Sequence, residues 1–153
     1  MPNPKRTTLL ALVLVLALTG GACATKNLTP VQNAQFKLNQ AVALVAQAND
    51  AMAQAVIALN GQQVIPTELA AELLSYNVSV ALAVRSSVAI LKQPNTDWAT
   101  QAKGVLGVLQ NLKLPPKATA WLNDPNVSQA ARGVIDLVRG LEIAITAAIQ
   151  AAG

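Results

Sequence analysis

Between Val31 and Leu59, apolar residues recur in alternating steps of three and four: Val31, Ala34, Leu38, Ala41, Val45, Ala48, Met52, Ala55 and Leu59. Four unbroken heptads form the seam of a coiled-coil or bundle helix, because this spacing keeps one stripe turned toward a partner. One register of the seam is all alanine, which predicts that a partner helix approaches closely, near ~8 Å. Asn33, Gln40, Gln47 and Gln54 repeat every seven residues on the opposite side. The helix has a start and a stop. Thr29-Pro30-Val31-Gln32 reads as a capping box with proline at the first helical position, and Asn60-Gly61 as the end, with Gly61 suited to a left-handed cap.

The same logic places three more helices. Thr67 is expected to cap a second helix running to about Lys92, with Leu69, Leu73, Tyr76, Val80, Ala83, Ser87 and Ile90 as its seam. Leu74, Val84, Val88 and Leu91 broaden that stripe, as for a helix with neighbours on two sides. After Gln93-Pro94-Asn95, Thr96-Asp97 opens a shorter helix carrying Trp98, Ala102, Val105, Leu109 and Leu112. Leu114-Pro115-Pro116 stops it, and one further turn is expected over Lys117–Leu122. Asp124-Pro125 reads as the start of the last helix, whose seam is Val127, Ala131, Val134, Val138, Leu141, Ile145 and Ala148. No alternating Val/Ile/Thr-rich segment bounded by hairpin turns appears. The expected fold is all-α: an up-down-up-down four-helix bundle over residues 29–153, without an internal domain boundary.

Ahead of the bundle, Lys5 and Arg6 precede a Leu/Val run from Leu9 to Leu18, then Thr19-Gly20-Gly21-Ala22 and Cys23, the only cysteine. A basic region, a short apolar region and small residues form a secretory signal. The pattern resembles bacterial lipoprotein signal peptides, in which a box of small and apolar residues ends in a cysteine that is lipidated and becomes the first residue. Ala22 and Gly21 fit that pattern, and Gly20 stands where it most often has Leu. The resemblance covers the leader alone. It implies that residues 1–22 are removed, that Cys23 is the lipid-attachment residue, and that 23–28 tether the domain within roughly 20 Å of the membrane. It also implies an exported protein facing the periplasm or cell exterior. Ala24 behind the cysteine points to the outer membrane if the source is Gram-negative. Two other readings stay open: Ala22-Cys23-Ala24 as an ordinary signal-peptidase site releasing a soluble protein at Thr25, and an uncleaved anchor, since no charge lies between Arg6 and Lys26.

Composition narrows the chemistry. Roughly 130 residues remain behind the leader, enough for one domain with a core, and the chain is 53% apolar but only 12% charged and 3% aromatic. Its net charge of +4 includes Lys5 and Arg6, and the remaining Lys and Arg are scattered. Nucleic-acid binding wants a basic patch and stacking aromatics, so no such partner is expected. The chain has no histidine. That excludes Ser-His-Asp and Cys-His catalysis and the Glu-x-x-His motifs of di-iron bundles, and removes the usual zinc ligands. We expect no catalytic residues, no cofactor and no metal.

Two charged constellations remain. Glu68 and Glu72 lie one helical turn apart. They could hold a cation or move a proton, but acids are favoured in a first turn by the helix dipole, and that is the reading adopted. Arg132, Asp136, Arg139 and Glu142 follow at steps of four, three and three, a ladder expected to form intrahelical pairs on a solvated face. Arg132, Asp136 and Arg139 are the candidate contact for a protein partner. Gly133 and Gly140 beside them, with Gly104 and Gly107, are expected where the third and fourth helices pack closely. Phe36, Trp98 and Trp121 are expected to cover bundle ends. The expectation is a membrane-anchored, non-enzymatic binding or structural module, and the alternative is a carrier of a small apolar ligand between its helices.

Overall fold

The computed structural model describes residues 28–153, so the leader, Cys23 and the tether as far as Asn27 lie outside the described residues. The all-α expectation is met. Five helices and no strand occur among the described residues: α1 (Pro30–Gly61), α2 (Thr67–Leu91), α3 (Trp98–Leu109), α4 (Pro116–Leu122) and α5 (Gln129–Ala152). The described residues divide into two units, 28–33 and 34–153, the second of which holds the core.

In the first unit the capping box forms. The Thr29 N–H donates to Gln32 Oε1 at 2.9 Å, and the Gln32 N–H donates to Thr29 Oγ1 at 3.2 Å. Val31, expected in the seam, is exposed.

In the second unit the seam of α1 differs from the expected one in a single register. Leu38, Val45 and Met52 are fully buried as expected, but they alternate with Val42, Asn49 and Val56 rather than with alanines. Ala41 is still buried, whereas Ala48 and Ala55 are half-buried and flank the stripe. The larger valines win that face because they bury more apolar surface than alanine does. The consequence is a polar residue in the seam. Asn49 is 2% exposed. Its Nδ2 donates to the Asn77 carbonyl of α2 at 3.1 Å, and Asn77 Nδ2 donates back to the Asn49 carbonyl at 3.0 Å. Two side chains thus clasp two helix backbones, fixing α1 on α2 at one height.

The end of α1 is a second correction. Gly61 is not left-handed; Gln63 is, at φ 57°. The Val64 N–H donates to the Leu59 carbonyl and the Gln63 N–H to that of Asn60, the paired bonds of a Schellman turn with Gln63 at the left-handed position. Thr67 does not cap α2 either. Pro66 precedes the helix without a side-chain bond, and Thr67 is already helical.

α2 buries Leu69, Leu73, Tyr76, Val80, Ala83 and Ser87 as expected, with Ile90 half-buried at its end. α3 starts at its expected cap: Asp97 accepts from the Thr100 N–H at 3.0 Å and from its hydroxyl at 2.7 Å. Those bonds hold the Asp97 carboxyl below its ordinary range. The preceding turn closes through Asn95, left-handed at φ 63°, and buried Gln101, whose Nε2 donates to the Gln93 carbonyl at 3.2 Å. α3 lies against α2 and α5, and α4 lies against α2. α4 is longer than the single turn expected. α5 begins later than expected. Asp124 accepts from the Asn126 N–H at 2.8 Å, which makes a turn rather than a cap, and Ser128 caps the helix by accepting from the Ala131 N–H at 3.3 Å. All of the expected α5 seam from Ala131 to Ala148 is buried.

Candidate functional site

α5 is the most cleanly two-faced helix. Val134, Val138, Leu141 and Ile145 turn inward, which leaves Arg132, Asp136 and Arg139, at steps of four and three, on the outer side. The structure brings these three expected contact residues together along one wall of an open hollow of about 390 Å³. The α4–α5 connection, from Leu122 through Asp124 and Pro125 to Val127, makes the other wall. One bond joins the walls: Arg139 Nη2 donates to the Leu122 carbonyl at 3.1 Å. That carbonyl ends α4, where the helix carries partial negative charge, so the guanidinium is well placed.

The expected intrahelical ladder does not form. Among the described residues the ion pairs belong to Lys117, and none joins Arg132, Asp136, Arg139 and Glu142 to one another. Their charges are presented outward.

Past Arg139 the same face continues into a second open hollow of about 420 Å³, lined by Arg139, Glu142, Ile143, Thr146, Ala147 and Gln150. Ile143 is 70% exposed, the most exposed large apolar side chain among the described residues. This half of the face was missed by sequence reasoning. The signal was present, because 132, 136, 139, 143, 146 and 150 form a second run of alternating steps, opposite the buried seam.

The carboxylates Glu68 and Glu72 are already engaged. Lys117 Nζ, in the first turn of α4, stands 3.2 Å from Glu68 Oε2 and 3.7 Å from Glu72 Oε1. The Glu68 hydrogen bond and the charges of both acids push the lysine above its ordinary pKa. The acids therefore fasten α4 to the start of α2, a use in which the missing participant was Lys117, 49 residues downstream of Glu68. Trp98 and Trp121 are half-buried against the core, as expected of covering residues, while Phe36 is exposed.

The glycines divide differently from the expectation. At Gly104 an added Cβ would stand 3.1 Å from Ile90 Cγ2, so the close approach is between α3 and α2. At Gly107, Gly133 and Gly140 an added Cβ would meet nothing within 4 Å, so close internal packing does not account for them. Tyr76, in the core of α2, has its phenol pushed up to about 12, first by burial and second by the nearby Glu142 carboxylate.

Among the described residues no group of three or more metal-ligating side chains is gathered. What the α5 face offers is an open groove with alternating charge and an exposed isoleucine. Compared with protein-family models, with curated proteins and with solved structures, the chain matches none.

Proposed function

We propose that the chain is an exported lipoprotein, anchored to a membrane through Cys23, whose helices form an up-down-up-down bundle serving as a non-enzymatic binding or structural module of the cell envelope. The observation that carries this reading is the leader itself: Lys5 and Arg6, the apolar run Leu9–Leu18, and a lone cysteine behind Gly21-Ala22. A lone cysteine cannot form an internal disulfide, and an exported domain gives it little other use. The described helices support the second half of the proposal. Each of the four longer ones buries a stripe at helical spacing, and α4 is a short addition between the last two.

The contact residues are Arg132, Asp136 and Arg139. Both hollows on that face are open and edged with charge, which favours a protein surface as the occupant over an apolar molecule held between helices. Helices α1 and α2 each contain a stretch long and apolar enough to cross a membrane, with 33% and 28% of those stretches buried.

The test is metabolic labelling of the full chain with a clickable fatty acid, followed by membrane fractionation. Wild type is expected to carry label and to sediment with membranes, and Cys23→Ser to lose the label and the leader cleavage that depends on it. A labelled Cys23→Ser chain, or an unlabelled wild type, contradicts the anchor.

A further inference from the structure

The outer face of α5 has the charge order Arg132, Asp136, Arg139, Glu142, so positive and negative alternate along it. Such an order is its own complement when reversed. If a second α5 runs antiparallel beside the first, with the two-fold axis at the height of Leu137, Arg132 meets Glu142 of the other copy and Asp136 meets its Arg139. At 1.5 Å per residue each pair then sits within about 1.5 Å of level, well inside the reach of an arginine. The bond from Arg139 to the Leu122 carbonyl occupies one of five guanidinium donors and leaves the others for the pair. Ile143, 70% exposed on the same face, would be covered in the contact.

We infer that this face joins two copies of the chain in an antiparallel α5–α5 contact, held by Arg132–Glu142 and Asp136–Arg139 pairs across the two-fold. Isologous contact of this kind is the usual way a soluble chain forms a closed dimer. The inference rests on the reading of α5 as the contact face, but not on the lipid anchor. It fits the described charges, which are unpaired with one another within the chain and matched between copies.

The experiment uses the full chain with the charges reversed one at a time, followed by sedimentation over a concentration series in a mild detergent. Wild type is expected to dimerise. Arg132→Glu alone and Glu142→Arg alone, each placing like charges face to face twice, are expected to weaken self-association at least about tenfold while leaving helicity unchanged. An equimolar mixture of the two variants is expected to recover the dimer. In the mixed dimer the two reversed side chains face each other in one half, with opposite charges, and the native Arg132 and Glu142 face each other in the other half. Association that neither reversal changes runs through the leader or another face and overturns the inference. A mixture that fails to recover overturns the register. A wild type that stays monomeric leaves the groove to a different protein and overturns self-association, without touching the fatty-acid test of Cys23.

Discussion

Asn49 shows what one buried polar side chain costs and returns. Its Oδ1 has no hydrogen-bond partner, yet its Nδ2 and its carbonyl both take part in the clasp with Asn77. A buried unpaired acceptor is unfavourable, and the two cross-helix bonds offset part of that while fixing the height of α1 on α2. Asn49→Ala is expected to lower stability by about 2 kcal/mol, one bond plus a small cavity, measured by denaturant unfolding. Val45→Asp, one turn earlier in the same seam, should cost more, about 4 kcal/mol, because it buries an unpaired charge. Gln47→Asp, exposed on the other side, should stay within about 0.5 kcal/mol. Equal effects at 45 and 47 would contradict the seam. Gln63 carries a different kind of strain, a left-handed backbone in a residue with a Cβ. Gln63→Gly should raise stability by about 1 kcal/mol, and a loss there would contradict the Schellman turn. Tyr76 is the only tyrosine, so the absorbance of tyrosinate reports it alone. With its folded pKa raised to about 12, the folded protein keeps the phenolic proton longer than the unfolded chain does. Stability from this group is complete below the ordinary tyrosine value near 10 and is lost as pH rises toward 12. Titration of the native chain near the ordinary value would contradict the burial of Tyr76.

At the scale of helices, the seams of α2 and α5 were legible because their apolar residues are large and their polar neighbours few. In α1 two registers competed, alanine at 41, 48 and 55 against Val42, Asn49 and Val56, and the asparagine disguised the one that is buried. Period alone does not separate two adjacent registers; side-chain size does. The helix ends were read where cap chemistry is local, as at Thr29 and Asp97. They were misread where a residue suited to capping was used otherwise. Asp124 makes a turn, Thr67 is inside its helix, and the residue that goes left-handed is Gln63 rather than Gly61. Of the residues that line the α5 hollow, Arg132, Asp136 and Arg139 stand out in the sequence, since charge is conspicuous in a chain with little of it. The wall from Leu122 to Val127 was not, because nothing in the spacing tells how the chain folds back there. The glycines give the element-scale prediction. Gly107→Ala should stabilise α3 by about 1 kcal/mol, the full helix preference, and Gly104→Ala by distinctly less, because its Cβ presses on Ile90 at 3.1 Å. Similar gains at both sites would contradict the close approach of α3 to α2.

For the whole molecule, the described domain and the leader tell complementary halves of one account. The helices bury their stripes, leave an outward face on α5 marked by charge, and draw their scarce acids into fastening, as Glu68 and Glu72 do with Lys117. Because that lysine is held above its ordinary pKa, its contribution to stability is whole at neutral pH and fades only in alkali, as the folded lysine loses its proton. In the proposed reading this arrangement presents a surface, and the leader sets where it is presented. The most direct measurement of that claim is mass spectrometry of the N-terminal peptide from the chain isolated from bacterial membranes. The account predicts a peptide that begins at Cys23 and carries acyl chains on that residue. A peptide beginning at Thr25, or one that still contains Lys5 and Arg6, would contradict it.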